Sequence, residues 1–355
     1  MMKPTSEADL AEAVASAAGP LEIMGGGTRK IGADSLGDPL CTAGLSGIVL
    51  YEPDALTLVA KSGTPLAEIE ALLSKNNQRL PFEPTDLRAL QSTTGTPTLG
   101  GVVATNASGP RRISAGACRD SLIGVRFVDG LGRLLKNGGR VMKNVTGYDL
   151  VKLMAGSHGT LGVITEISFK LLPAAQATAS VLVENTEAEA VATMAEALGS
   201  PFDISGAAHI AGVTALRVEG LAGSVAYRAE ALAKRLGGRV DLFDWQALRD
   251  VHAFAEKEGD VWRISVKPSY GPAVATALRG LGANDIIFDW AGGLIWALAP
   301  AGLDLRSVIT SGHATLVRGS ARPVFQPEPA PIAALSKALR GKFDPRGILN
   351  TGRMG

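Results

Sequence analysis

Cysteine is nearly absent from this sequence: Cys41 and Cys118 stand far apart, and no Cys-x-x-Cys pair occurs. That excludes a disulfide framework and leaves too few thiolates for an iron–sulfur cluster. Charge of one sign is lacking too. Thirty-five Lys and Arg face 34 Asp and Glu, for a net charge of +1, which gives no electrostatic case for nucleic acid as the main partner. No Gly-x-x-x-x-Gly-Lys-Ser/Thr loop occurs, and no Gly-x-Gly-x-x-Gly fingerprint follows a strand. A phosphate-bearing ligand would therefore need a different architecture. The four histidines, His158, His209, His252 and His313, fall at no metal-ligand spacing, so no metal site is expected. The longest apolar run, Trp290 to Leu303, has 14 residues and is too short to span a bilayer. The segment Met1 to Leu10 carries Glu7 and Asp9 and no apolar core, so a secretory signal is not expected and a reducing cytoplasm is.

Glycine, by contrast, is abundant and clustered. The stretch from Thr93 to Gly109 carries no acidic or basic side chain and holds Gly95, Gly100, Gly101 and Gly109 among small apolar and hydroxyl residues. Glycine and β-branched residues disfavour a regular helix, so the segment reads either as a buried connector or as a cradle that lets backbone approach a ligand. A second run, Gly25-Gly26-Gly27-Thr28-Arg29, follows the short strand Leu21 to Met24. Three glycines after a strand can form an anion nest, with Arg29 and Lys30 adding positive charge; a plain hairpin turn is the alternative. A third run spans Gly156 to Gly162.

At 355 residues, two domains are expected. In chain order, Thr5 to Ala18 has the apolar spacing of a helix, and Thr57 to Lys61 that of a strand. Thr64 reads as an N-cap with Pro65 at the first helical position, opening a helix with Leu66, Ile69, Leu72 and Leu73 along one face. Ile123 to Val128, Arg133 to Leu135 and Val163 to Leu171 read as strands, with a short helix ending at Met154. Beyond Pro173, strands are expected at 180–184, 203–210, 214–219, 261–266 and 294–298. Helices are expected at 187–198, 222–236, 246–256 and 270–281. That alternation suggests an open sheet covered by helices. The proline-rich stretch 322–331 reads as an extended link.

The ordered motifs resemble a known family. Gly25-Gly26-Gly27-Thr28-Arg29, then Gly100-Gly101 with Asn106 and Gly109, then Thr146-Gly147-Tyr148-Asp149, then Gly159-Thr160-Leu161-Gly162-Val163-Ile164, look like the vanillyl-alcohol oxidase or PCMH type of FAD-binding domain. The ending Asp344-Pro345-Arg346-Gly347-Ile348-Leu349-Asn350 resembles the tail of dehydrogenases and oxidases of 2-hydroxy acids. The short second half and the Gly312-His313-Ala314-Thr315 and Gly352-Arg353-Met354 pieces are most similar to the FAD-binding E subunits of bacterial glycolate oxidase.

The resemblance implies an α+β fold: a two-lobed PCMH-type FAD-binding domain over 1–172, a smaller α+β cap domain over 173–340, and a tail over 341–355 returning to the first domain. It implies FAD, held non-covalently because Thr28 stands where covalently linked relatives often carry histidine. Gly25, Gly26, Gly27, Thr28 and Arg29 would hold the pyrophosphate. Thr94, Gly95, Thr98, Gly100, Gly101, Ala104, Thr105, Ser108 and Gly109 would meet flavin, ribityl and phosphate. Gly162, Val163 and Ile164 would meet the adenine end, and Asn350 would return to the flavin. His158 stands where the family usually has glutamate.

Hydride abstraction from a 2-hydroxy acid needs a base near the hydroxyl and a cation for the carboxylate. The His-x-Gly-Asp-Gly-Asn-x-His type of stretch carried by catalytic relatives is missing, and no catalytic residue can be named. His209 and His252 are expected to be packed or surface residues and His313 to be structural. Arg217, Arg263 and Arg318 are candidates for a carboxylate clamp or, alternatively, solvated side chains. The expectation is an FAD subunit of a glycolate oxidase complex, with a catalytic FAD subunit and an iron–sulfur subunit as partners. It would be cytoplasmic or peripheral at the inner membrane face through the complex. A self-sufficient 2-hydroxy acid dehydrogenase and a non-catalytic flavin subunit are the alternatives.

Overall fold

The computed structural model describes residues 1–139, 147–320 and 323–354. Thr146 of the third motif and Arg322 at the start of the expected link lie outside these residues. The first part of the chain is built on a five-stranded antiparallel sheet, in the order Ile48–Glu52, Thr57–Lys61, Val163–Lys170, Leu122–Val128, Leu134–Gly138. Its central strand brings Ile164, Ile167 and Phe169 into a core with Leu58, Phe82 and Phe127. The helix Leu66–Ser74 covers this core with Ile69 and Leu73, as their spacing predicts.

A second lobe is small. The helix Glu7–Ser16 starts at a reciprocal capping box between Ser6 and Asp9 and buries Leu10 and Val14. It packs near Leu21–Met24, which pairs in parallel with Asp38–Cys41. The C-terminal tail joins this lobe: Leu21 N–H donates to the Ile348 carbonyl, and Leu349 bridges to Leu21.

The second half forms an eight-stranded sheet. Its order is Arg239–Asp241, Ala177–Glu184, Val213–Gly220, Ile204–Ile210, Asp285–Asp289, Leu294–Ala299, Asp260–Ser265, His313–Arg318, and every neighbouring pair is antiparallel. Helices Glu187–Leu198, Ala222–Leu236 and Gly271–Leu281 cover it, burying Met194, Leu232 and Leu278 against Leu216, Phe288 and Ile295.

Four expectations change. Leu99–Ala104 is a helix despite its two glycines, because Thr98 caps it and Gly100 lies where a Cβ would come within 2.8 Å of the Ser62 Cβ. Thr64 does not cap the next helix; its hydroxyl bonds to Lys61 and Gly47, and the helix begins at Leu66 after Pro65. The expected helix 246–256 breaks at Val251, whose φ of 55° lies in the left-handed region, leaving Trp245–Arg249 and a short turn at His252–Phe254. Ala330–Phe343 is a helix, so the extended link ends sooner than expected and the 340/341 boundary falls inside that helix.

The two halves meet through buried charge. Glu83, from the connector before the cradle, accepts from both Nη atoms of Arg217 at 2.8 and 2.9 Å, and from the Arg111 backbone N–H at 2.7 Å. Glu219 accepts from Arg111 at 2.9 and 3.0 Å and from Arg79 at 2.7 Å. Burial pushes the Glu219 carboxyl up, but the Arg111 hydrogen bonds and the charges of Arg217, Arg111 and Arg79 outweigh it and hold the group well below its usual range. Glu219→Gln leaves the guanidiniums without that charge, at an expected cost of about 3–5 kcal/mol, read as a lower urea midpoint at neutral pH. Because the folded carboxyl titrates below 4.5, its stabilisation is present above that pH and is lost below it. The parent should therefore lose stability more steeply on acidification than Glu219→Gln; parallel slopes would remove the charge network as the cause.

Candidate functional site

Two clefts meet in the molecule. The first, with about 930 Å³ of open space, lies between the small lobe and the five-stranded sheet. Of the residues expected from sequence, Gly25, Gly26, Gly27, Thr28, Arg29, Thr98, Gly100, Gly101, Ala104, Thr105, Gly162, Val163, Ile164 and Asn350 all line it. Among the described residues, the backbone N–H groups from Gly26 to Arg29 have no acceptor in the chain. With Gly27 at φ 69° they form the nest that the glycine run suggests.

The expected residues outside this cleft have other work. Gly95 backs the nest: a Cβ there would lie 1.7 Å from the Gly26 carbonyl oxygen, so the two glycine runs touch backbone to backbone. Thr94 is exposed. Ser108 lines the second cleft and accepts from Cys118 N–H at 3.0 Å. The Gly109 carbonyl accepts from Trp290 Nε1 at 3.0 Å, which ties the cradle to the far sheet.

Asn350 acts as a strap. Its Oδ1 accepts from Ile23 N–H at 2.7 Å, and its Nδ2 donates to the carbonyls of His158 at 2.8 Å and Ile23 at 3.3 Å. It therefore fixes the cleft wall through backbone, with its own polar atoms already engaged.

Sequence reasoning missed Arg353, whose quoted Gly352-Arg353-Met354 setting was the available signal. It lines the first cleft 3.5 Å from Glu22, with its Nε buried and unpartnered. The Arg29 Nε is likewise buried without a partner, while its Nη2 donates to the Thr85 carbonyl. Burial lowers Arg29 to about 10, partly countered by Asp86, so it stays cationic at neutral pH. Free nest donors and orphaned guanidinium N–H groups suit a pyrophosphate.

Arg29, Thr105 and His158 also line the second cleft, so the two spaces adjoin. The second, of about 990 Å³, opens toward the eight-stranded sheet. Register explains its lining. Ser265 pairs with His313 and Arg263 with Thr315, so these four alternate residues share one face of two neighbouring strands. Arg112 reaches in from the helix Arg112–Ala115. Both guanidiniums stack on the Trp290 ring, Arg112 at 4.3 Å and Arg263 at 5.0 Å from its centroid. Trp290 and Ala291 hold φ of 52° and 57°; left-handed non-glycine residues cost on the order of 1–3 kcal/mol each and cluster at functional sites.

The remaining candidates separate cleanly. Arg217 is consumed by Glu83, and Arg318 donates to the carbonyls of Phe254, Ala255 and Lys257; neither faces a cleft. His209 is buried against Thr214 at 2.9 Å, and His252 is exposed. His313, expected to be structural, opens into the second cleft. Burial lowers its pKa, with Arg263 and Arg112 adding to the effect. Burial, with Arg353 adding, pushes His158 down to about 4, so its imidazole is neutral at neutral pH; its ring stands edge-on to Phe325.

Comparison with known proteins fits this geometry. Residues 1–138 match the family described as an FAD binding domain, and FAD is the cofactor. The chain is 39% identical over 342 residues to the glycolate oxidase subunit GlcE of Escherichia coli K12, covering 94% of this chain and 92% of that protein. It is 34% identical over 152 residues to a D-lactate dehydrogenase of Anaerostipes hadrus, covering 42% of this chain and 30% of that protein. Alkyldihydroxyacetonephosphate synthase shares the fold at a TM-score of 0.71 and 15% identity, over 98% of this chain and 76% of the other.

The glycines make a paired test of the first cleft. A Cβ on Gly101 meets only the Thr98 hydroxyl, at 3.4 Å, whereas one on Gly26 would sit 1.6 Å from the Thr96 carbonyl oxygen. Gly101→Val should fold with an unchanged circular dichroism spectrum yet retain FAD at least about tenfold more weakly, some 1.4 kcal/mol. Gly26→Val should lose the fold together with the cofactor. Full FAD content in folded Gly101→Val would move the cofactor elsewhere.

Proposed function

The chain belongs to the family of the glycolate oxidase subunit GlcE, and from that premise we propose that it is the FAD-carrying subunit of a complex oxidising glycolate to glyoxylate. The observation that carries this reading is identity spread over nearly the whole chain, both halves included, rather than over the FAD-binding part alone. The chain is an FAD-linked oxidoreductase subunit. In our reading the cofactor lies in the first cleft, with its pyrophosphate on the nest of Gly25 to Arg29 and its ring system toward the junction at Thr105 and His158. Arg29 and Arg353 supply positive charge there, and Asn350 keeps the wall in place.

When bound, FAD supplies a two-electron acceptor. The chain's own residues bind and orient it. They offer little for proton removal: the histidine-rich stretch of catalytic relatives is missing, burial pushes His158 down to about 4 and lowers His313 as well, which makes both imidazoles weak bases, and no group of three or more His, Cys, Asp or Glu among the described residues could hold a metal. We therefore place glycolate oxidation on a partner FAD subunit. Onward electron transfer falls to an iron–sulfur subunit, since Cys41 and Cys118 are buried and single. We also propose a cytoplasmic complex, peripheral at most to the inner membrane face. No helix among the described residues is long and apolar enough to cross a membrane.

Two measurements test the reading. Thr28 has no ring nitrogen to bond the flavin, so acid precipitation should release all yellow colour to the supernatant; flavin fluorescence on the denatured band would contradict it. In a dye-reduction assay with glycolate, the FAD-loaded chain alone should turn over at least about 10²-fold more slowly per flavin than the co-expressed complex, the lower end of what a positioned base contributes. Comparable rates would instead favour a self-sufficient dehydrogenase.

A further inference from the structure

We propose that the second cleft is a carboxylate-binding site of this chain itself, where Arg112 and Arg263 hold a small 2-hydroxy acid or its 2-oxo product beside the flavin. The inference rests on the reading that FAD fills the first cleft. It goes beyond that reading by giving this subunit a ligand of its own, independent of where the substrate is oxidised.

Charge in the second cleft is one-sided. Arg29, Arg112, Arg119, Arg263, His158 and His313 face the cleft, and no Asp or Glu is among its described lining residues. Several other enclosed arginines have their charge answered. Arg217 has Glu83, Arg111 has Glu219, Arg249 has Asp250, and Arg318 has a set of carbonyls. The Arg112 and Arg263 side chains have no carboxylate in contact and no hydrogen-bond acceptor among the described residues; what they share is the Trp290 ring. The nearby acids do not fill the gap. Asp120 lies beside Arg119 at 3.7 Å. Asp289 accepts the Trp290 backbone N–H from a buried position, where burial raises it to about 7. Asp289 and Asp120 act on the two guanidiniums only from beyond contact distance; Arg112 depresses the charged state of Arg263, and both depress that of His313. An anion placed between them and the ring edge would relieve that repulsion, and a planar carboxylate matches the guanidinium fork.

The site is also built rather than incidental. Trp290 is presented by two consecutive left-handed residues and anchored by its Nε1 on the Gly109 carbonyl, so the chain holds a strained turn to put that ring under both arginines. Ser265, His313 and Thr315, on the same face as Arg263, place hydroxyl and imidazole groups within the cleft for a ligand hydroxyl or oxo group. The two clefts share Arg29, Thr105 and His158 in their walls, which sets this ligand next to the cofactor space.

The test titrates the FAD-loaded full chain with glycolate, oxalate, neutral ethylene glycol and inorganic phosphate, following flavin absorbance and tryptophan fluorescence. Saturable responses to glycolate and oxalate are expected, with none to ethylene glycol. Arg263→Gln and Arg112→Gln should each weaken the response at least tenfold while FAD content stays unchanged. No residue of the short helix that carries Arg112 is fully buried, so its variant serves if Arg263→Gln fails to fold. No saturable response from the FAD-loaded chain, or an equal response in a folded variant, overturns the carboxylate site and leaves the cofactor reading intact. An equal response to phosphate overturns the carboxylate class. A chain that purifies without FAD counts against the cofactor reading, and tryptophan fluorescence then decides the carboxylate site by the same criteria.

Discussion

The charge network of Glu83, Arg217, Glu219, Arg111 and Arg79 is the constraint on which the arrangement of the two halves depends. It joins the connector and the cradle of the first half to one strand of the second-half sheet. Buried ions are expensive to desolvate, and breaking a pair exposes that cost, so such a network tolerates one geometry and penalises others. The surroundings are shaped to it. Arg217 stacks at 4.7 Å over Trp245, and Gly206 leaves the space: a Cβ there would come within 2.9 Å of that ring. Asp250 extends the joint, accepting the Asp86 N–H and pairing with Arg249.

Because that joint is fixed, the second cleft has definite walls. One wall is the cradle with Ser108 and Arg112; the other is the strand pair with Arg263 and His313. The Trp290–Gly109 hydrogen bond is a second rivet across the same boundary. The two clefts are thereby held in register across the boundary between the halves.

The first cleft was largely legible in the sequence, because a nest is a local object. Gly25 to Arg29 and Thr98 to Thr105 carry their meaning in consecutive residues. Amphipathic helices such as Glu187–Leu198 and Ala222–Leu236 were readable for the same reason, through their periodicity. The helix at Leu99–Ala104 was not, since propensity counted its glycines while packing against Ser62 required one of them. Ala330–Phe343 escaped because Pro327, Pro329 and Pro331 read as an extended link, which masked the helical spacing of Ile332, Leu335 and Leu339, three residues that stay exposed in the fold. The second cleft was least visible. Arg112, Arg263 and Trp290 come from three distant segments, and only strand register and a pair of left-handed residues bring them together. A lone arginine in sequence gives no sign of whether its counter-ion is present.

The Asn350 strap bears on the order of events during synthesis. Its partners are separated from it by 327 and 192 residues, so the wall of the first cleft is closed by contacts between the earliest-made strand and a very late segment. A growing chain can assemble its five-stranded sheet and still lack that wall. Residue 350 must therefore leave the ribosome before that wall is complete, so a ligand that needs the wall binds only after this segment has emerged.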